Sequence, residues 1–128
     1  MNQGLRFRAL DGRFAVVRLN ADSPVPAWAQ EGQFISVSRS ADELSIICPL
    51  ENLPHETHSP RRWICLKLCG PFPFTQTGVL LSFIQPLSGN DVPIFAVSTF
   101  DTDYVLIPED FSDKALSILK KSGHIKED

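Results

Sequence analysis

The run from Pro93 to Pro108, PIFAVSTFDTDYVLIP, holds two apolar segments on either side of a polar bend. Ile94–Ser98 and Tyr104–Ile107 have the β-branched and aromatic content of strands. Thr99, Phe100, Asp101, Thr102 and Asp103 separate them, which is the pattern of a β-hairpin. Two buried strands make a stiff frame, so the polar groups at the bend, Thr99 and Asp103 above all, are expected to be presented from fixed positions. A polar bend on apolar strands suits the binding of something small.

Outward from this hairpin, the second half of the chain reads strand, helix, strand, strand, helix. Downstream, Phe111, Ala115, Ile118 and Leu119 form one stripe at helical spacing. Asp110 or Ser112 can cap its start, Lys120 and Lys121 suit its last turn, and Gly123 stops it. Upstream, Leu80, Phe83, Ile84 and Leu87 place a second helix within Gln76–Leu87. Thr75 or Thr77 can cap that helix, which should begin near Gly78, and Pro86 should distort or end it. Trp63–Cys69 reads as a strand with Ile64, Leu66 and Leu68 on one face, closed by the turn Gly70-Pro71-Phe72-Pro73. The segment Glu51–Arg62, ENLPHETHSPRR, is polar and broken by prolines, and marks the boundary between halves.

The first half is mostly β. Arg6–Leu10 and Arg13–Leu19 flank Asp11-Gly12, a pair that favours a tight turn, so a first hairpin is expected there. Asn20–Pro26 is turn chemistry, and Pro26 with Ala27, Trp28 and Ala29 can open no more than one helical turn before Gly32. Phe34–Arg39 and Leu44–Cys48 read as two strands around a polar loop at Ser40–Glu43.

STFDTDYVLIPED at 98–110, CGPFPFTQTGVLLSFIQPL at 69–87 and DELSIICPLE at 42–51 together resemble the small ACT-domain proteins related to the paired-ACT amino-acid sensors. The resemblance runs from the GRFAVVRL stretch to the last helix and is most specific at Gly78–Leu81 and Ser98–Leu106. It implies an α+β fold of ferredoxin-like βαββαβ units, and a regulatory module that binds a free amino acid without catalysing a reaction. The second half is one strand short of that pattern. His124–Asp128 looks too polar and short to supply the strand, whereas Arg6–Leu10 is spare. Two intertwined ACT-like units are therefore expected in one compact body, with antiparallel sheets and helices on one face: residues 1–60 incomplete and mostly β, residues 61–128 the fuller domain.

Composition narrows the function. Of 128 residues, 43% are hydrophobic, enough for a packed interior, and the formal net charge of −3 comes with no basic run beyond Arg61-Arg62 or Lys120-Lys121. Nucleic acid is thereby disfavoured as a partner. No apolar stretch approaches the length of a membrane span, so a cytoplasmic protein is expected. Three cysteines do not describe a disulfide scaffold and are expected to be buried thiols. His55 and His58 lie between Pro54 and Pro60, which opposes a helical metal site, so no metal and no cofactor are expected. Phosphate-loop, dinucleotide-binding and nucleophile-elbow motifs are all missing.

Two places remain for a ligand. Gln76, Thr77, Gly78 and Val79 lie where a strand meets a helix N-terminus, which favours an anion such as an α-carboxylate. From the residues alone, a tight turn at Gly78 and a cap at Thr77 are the preferred reading; the resemblance to ACT domains reverses that preference and implies a ligand loop. Asp103, with Thr99, offers a counter-charge for an ammonium group, Phe100 either walls the space or joins the core, and Asp101 reads as an ordinary turn aspartate. The expected partners are a free amino acid and a second copy or another protein. The alternative is a structural interaction module with no ligand.

Overall fold

The computed structural model describes residues 4–55, 61–73 and 77–128. In chain order the elements are β1 (Arg6–Ala9), β2 (Phe14–Leu19), β3 (Ser36–Arg39), β4 (Leu44–Pro49), β5 (Trp63–Leu68), α1 (Val79–Ser88), β6 (Phe95–Ser98), β7 (Asp103–Pro108), α2 (Ser112–Lys121) and β8 (Ile125–Glu127). Single 3-10 turns occupy Ala27–Ala29, Leu50–Asn52 and Glu109–Phe111. The chain divides into one unit from Asp11 to Trp63 and another that joins the residues up to Leu10 to Ile64–Asp128. The expected division after residue 60 therefore differs at its first end, because the N-terminal strand belongs with the second half.

The unit Asp11–Trp63 is an antiparallel meander in the order β3-β4-β2. Leu44, Ile46 and Cys48 alternate along β4, so they share a face. They are fully buried there with Ala29, against Val17, Leu19, Trp28 and Ile35. The one-turn helix at Ala27–Ala29 is held by Asn52, whose side-chain amide donates to the Trp28 carbonyl at 3.1 Å and to that of Glu31 at 2.6 Å.

The second unit is the six-element βαββαβ pattern, β5-α1-β6-β7-α2-β8, with one strand added. Its sheet runs β8-β1-β5-β7-β6. β1 is antiparallel to β5, with Phe7 opposite Leu68 and Arg8 opposite Lys67, and parallel to β8. Both helices cover one face: Phe7, Leu66, Leu68, Val105 and Ile107 from the strands pack with Phe83, Leu87, Ala115 and Leu119 from α1 and α2. Phe7 and Phe83 meet edge to face at 5.2 Å.

Two expectations are corrected here. The hairpin about Asp11-Gly12 does not form. Gly12 does take the positive φ of 75° that favours glycine, but β1 pairs with β5 and β8 while β2 pairs with β4. The reason is burial: Phe7, the one large apolar residue of β1, finds a deeper apolar surface beside Leu66 and Leu68 than a two-stranded ribbon could offer. The polar tail, in turn, does make the last strand. β8 needs only main-chain pairing at an edge, which begins with the Ile125 N–H donating to the Leu5 carbonyl at 2.8 Å, and Arg6 pairs with Glu127 at 2.8 Å. A hydrophobic pattern is not required of it, and Ile125 is half exposed.

Helix α1 begins as expected after Gly78, yet among the described residues neither Thr77 nor any other side chain caps it; Thr75 lies outside them. Pro86 also fails to end it, since the helix continues to Ser88. A proline has no N–H, so the Ser82 carbonyl four residues earlier loses its helical donor. His124 replaces it, with Nε2 3.1 Å from that oxygen, while Nδ1 accepts the Leu5 N–H at 3.0 Å. These two bonds fix the hydrogen on Nε2. The imidazole is buried against Phe83 and is positioned by the end of α2, where the His124 and Gly123 N–H groups return to the Leu119 and Lys120 carbonyls, each at 3.0 Å.

Because Phe7 fills the core between strands and helices, Phe7→Ala should cost about 3–5 kcal/mol in urea unfolding, and removal of the strand should yield aggregating protein. A loss below about 1 kcal/mol would make β1 peripheral. The His124 bridge is testable by a double-mutant cycle. Pro86→Ala returns a donor to Ser82, so His124→Ala should cost about 1 kcal/mol less in that background than in the wild type; equal costs would leave the His124–Ser82 bond without energetic weight.

Candidate ligand-binding site

The β6–β7 hairpin forms in the expected place, with Phe95 opposite Leu106 and Ser98 opposite Asp103. Thr99 and Thr102 close its bend. The Thr99 N–H donates to the Thr102 carbonyl at 2.8 Å, the Thr99 hydroxyl donates to the same oxygen at 3.0 Å, and it accepts the Thr102 N–H at 3.3 Å. Thr102 is buried and its hydroxyl donates to the Leu68 carbonyl at 2.8 Å, which anchors the bend to the end of β5. A second anchor runs from the Phe72 N–H to the Asp101 carbonyl at 3.0 Å. The bend is thus held at both flanks by the strand–turn segment that leads toward α1.

Between this bend and the start of α1 lies an open cleft of about 290 Å³. Gly78, Val79, Thr99, Phe100 and Asp103, all singled out from the sequence, border it together. Gly78 sits at φ 75°, in the left-handed region, and a Cβ built on it would meet nothing within 4 Å. The glycine is therefore required by its backbone angle, and no described residue fills the space before it. Its carbonyl takes the first helical bond, from the Ser82 N–H at 2.9 Å, and the N–H groups of the following turn point out of the helix end. Val79 is buried in the core, so what it offers the cleft is its main chain. Thr77 is exposed and is not among the residues bordering the cleft, and Gln76 lies outside the described residues.

At the opposite side Asp103 is half-buried and its carboxylate accepts the Ser98 hydroxyl. Phe100 is 78% exposed at the rim, so it does not join the core. Asp101 also reaches the cleft, though its side chain is exposed and its carbonyl is the group the bend uses. Sequence reasoning missed Phe72, Ser98 and Thr102; only Ser98, the hairpin-closing partner of Asp103, had a local signal. The chemistry on offer is a carboxylate facing a helix N-terminus across a small cleft, which complements a molecule with opposite charges at its two ends.

Other chemistry is less well equipped. Among the described residues no cluster of three or more His, Cys, Asp or Glu side chains is placed to hold a metal ion; His58 lies outside them. No helix among them is long and apolar enough to cross a membrane. Burial raises the Cys48 thiol to about 11 and that of Cys65 to about 12, so neither is a thiolate at neutral pH. Cys69 differs from the expectation of three buried thiols, being only half-buried. Its pKa is also raised, by desolvation first and then by Glu127, against the opposing influence of Arg8.

Comparison with known proteins gives the fold its relatives. A family model described as an ACT domain matches residues 58–121, and a model of an N-terminal domain matches residues 12–56. A solved protein of Agrobacterium tumefaciens is 39% identical, with a TM-score of 0.90 over 98% of this chain and 94% of that one. Clostridium acetobutylicum aspartate kinase, described as an allosteric enzyme, shares the fold at a TM-score of 0.60 and 12% identity, over 91% of this chain and 33% of the kinase. The human cytosolic arginine sensor for mTORC1, subunit 1, is 28% identical over 60 residues, 46% of this chain. The chain spans only 18% of the length of that sensor.

Thiol labelling checks the cysteine environments: in the native protein a small alkylating reagent should modify Cys69 first, with Cys48 and Cys65 reacting only on unfolding. Native labelling of Cys65 at the rate of Cys69 would contradict its burial.

Proposed function

The chain belongs to the ACT-domain family, and from that premise we propose that it is a regulatory module that binds a free amino acid in the cleft between α1 and the β6–β7 bend. The observation that carries this reading is the meeting of Gly78 and Val79 with Thr99 and Asp103 around one cleft, although the two pairs are a helix and a strand apart in sequence. The α-carboxylate would lie against the N–H groups opening α1, and the ammonium against Asp103. The similarity to an arginine sensor and to an allosteric kinase supports the same class of role.

The mechanism is differential binding. A ligand held by groups from two elements favours the arrangement in which both are in place, and a partner that reads that arrangement senses the ligand. Catalysis forms no part of this role. The kinship with a cytosolic sensor supports a cytoplasmic location. Assembly with a second copy or another protein is part of the proposal, since a sensor without a reader transmits nothing. The rival is a scaffold with no ligand, favoured by the exposed Phe100 and Leu81.

Melting temperature measured with each free amino acid in turn separates the two: that of a binder rises with the logarithm of ligand concentration above Kd, that of a scaffold does not. With the best ligand, Asp103→Ala should weaken affinity by about tenfold or more, from the loss of a charge-assisted contact of about 1.5–3 kcal/mol. Asp101→Ala should be nearly silent. Calorimetry that found equal losses for both, or none at Asp103, would place binding elsewhere.

A further inference from the structure

The opposite face of the same sheet carries a second cleft, of about 330 Å³, that the amino-acid reading does not use. Along β1, β5 and β7 the residues Phe7, Leu66, Leu68 and Val105 point into the helix-covered core. By alternation Arg8, Lys67 and Tyr104 point the other way. Arg8 and Lys67 are direct register partners on adjacent strands, and both line this cleft with Cys69, Tyr104 and the bend residue Asp101.

Two like charges directly opposite each other in a sheet are destabilising. Glu127 offsets this only in part. Glu127 is the partner of Arg8 in the parallel pair, but its carboxylate is bound to Arg6 at 2.8 Å. Among the described residues neither Arg8 nor Lys67 forms a direct ion pair, although Arg8 lies near enough to Glu127 and Cys69 to act on both. Lys67 lies over the Tyr104 ring, 5.9 Å from its centroid, which holds the ammonium at the cleft. Cys69 sits between Arg8 and Glu127 and stays a thiol, so it adds no competing negative charge.

We propose that this cleft is a binding site for a phosphate-type oxyanion, held by the Arg8 guanidinium and the Lys67 ammonium. A guanidinium presents paired donors to two oxygens, and an ammonium adds a point charge beside it, which together match a dianion better than a single carboxylate. The cleft is larger than one phosphate, and Asp101 at its rim accepts a hydroxyl, so a phosphate monoester of a hydroxylated molecule fits it better than the bare ion. Asp101, Thr99 and Thr102 border both clefts, so the site shares a wall with the amino-acid cleft, but Asp103 and the start of α1 border only the latter, and Arg8 and Lys67 only the former.

The experiment is a thermal and NMR titration of the full chain with inorganic phosphate, glycerol phosphate and acetate, at ionic strength held constant with chloride. Wild-type protein should show a saturable rise in melting temperature with the two phosphates, larger for the ester, and shifts at Arg8, Lys67 and Tyr104. Arg8→Gln and Lys67→Gln should each abolish that rise. Lys67→Gln carries the test by itself if Arg8→Gln does not fold. Asp103→Ala should keep the full phosphate response, which separates this site from the amino-acid cleft. No saturable response in wild type, an equal response to acetate, or an undiminished response in Lys67→Gln would each overturn the assignment.

Discussion

Everything in the second unit rests on the insertion of β1 between β5 and β8. A βαββαβ unit has its own first and last strands, and here a segment from before the other unit stands between them. Phe7 holds it there by burial, and the Leu5 main chain ties it to the tail: its carbonyl accepts the Ile125 N–H and its N–H reaches His124. His124 in turn serves the carbonyl that Pro86 leaves without a helical donor. One inserted strand therefore secures the edge of the sheet, the end of α2 and the irregular turn of α1 at once. Loosening it would release three elements.

The bend between β6 and β7 depends on that frame and divides the space around it. On one side it meets the N-terminus of α1, where the charge is a helix end and a carboxylate; on the other it meets two cations on the face of the sheet away from the helices. The strands beneath are fixed by core packing, but the bend is fixed by Thr102 and Phe72 through single hydrogen bonds. A bend held by two bonds can shift when either neighbour is occupied, and reciprocity would then couple the two clefts in both directions.

What the sequence made legible was whatever is decided locally. The hairpin at residues 94–107 and the helix ending at Gly123 carry their own turn and stop signals, and both stand where periodicity put them. Gly78 was legible for the same reason, since a positive φ before a helix asks for glycine. β1 was misread because Asp11-Gly12 is a sound local turn signal, while the pairing that wins is with strands nearly half a chain and nearly a whole chain away. β8 was overlooked because an edge strand needs backbone partners rather than an apolar pattern. The role of Thr102 was hidden likewise: its hydroxyl is spent on Leu68, a neighbour only the folded sheet provides. The opposed Arg8 and Lys67 follow from register, which the sequence does not state.

The inserted strand also sets an order of events during synthesis. β1 leaves the ribosome before any other strand, yet its partners are β5 and β8, made after the whole of Asp11–Trp63. The strands of the latter find partners among themselves and can settle early, whereas β1 must wait, with Phe7 uncovered, until β5 and then β8 have emerged. Arg6 and Arg8 flank that phenylalanine on both sides. Charges so placed disfavour pairing of a waiting strand with the wrong edge, so the arginines that stand on the face away from the helices in the finished sheet would also protect the unfinished chain.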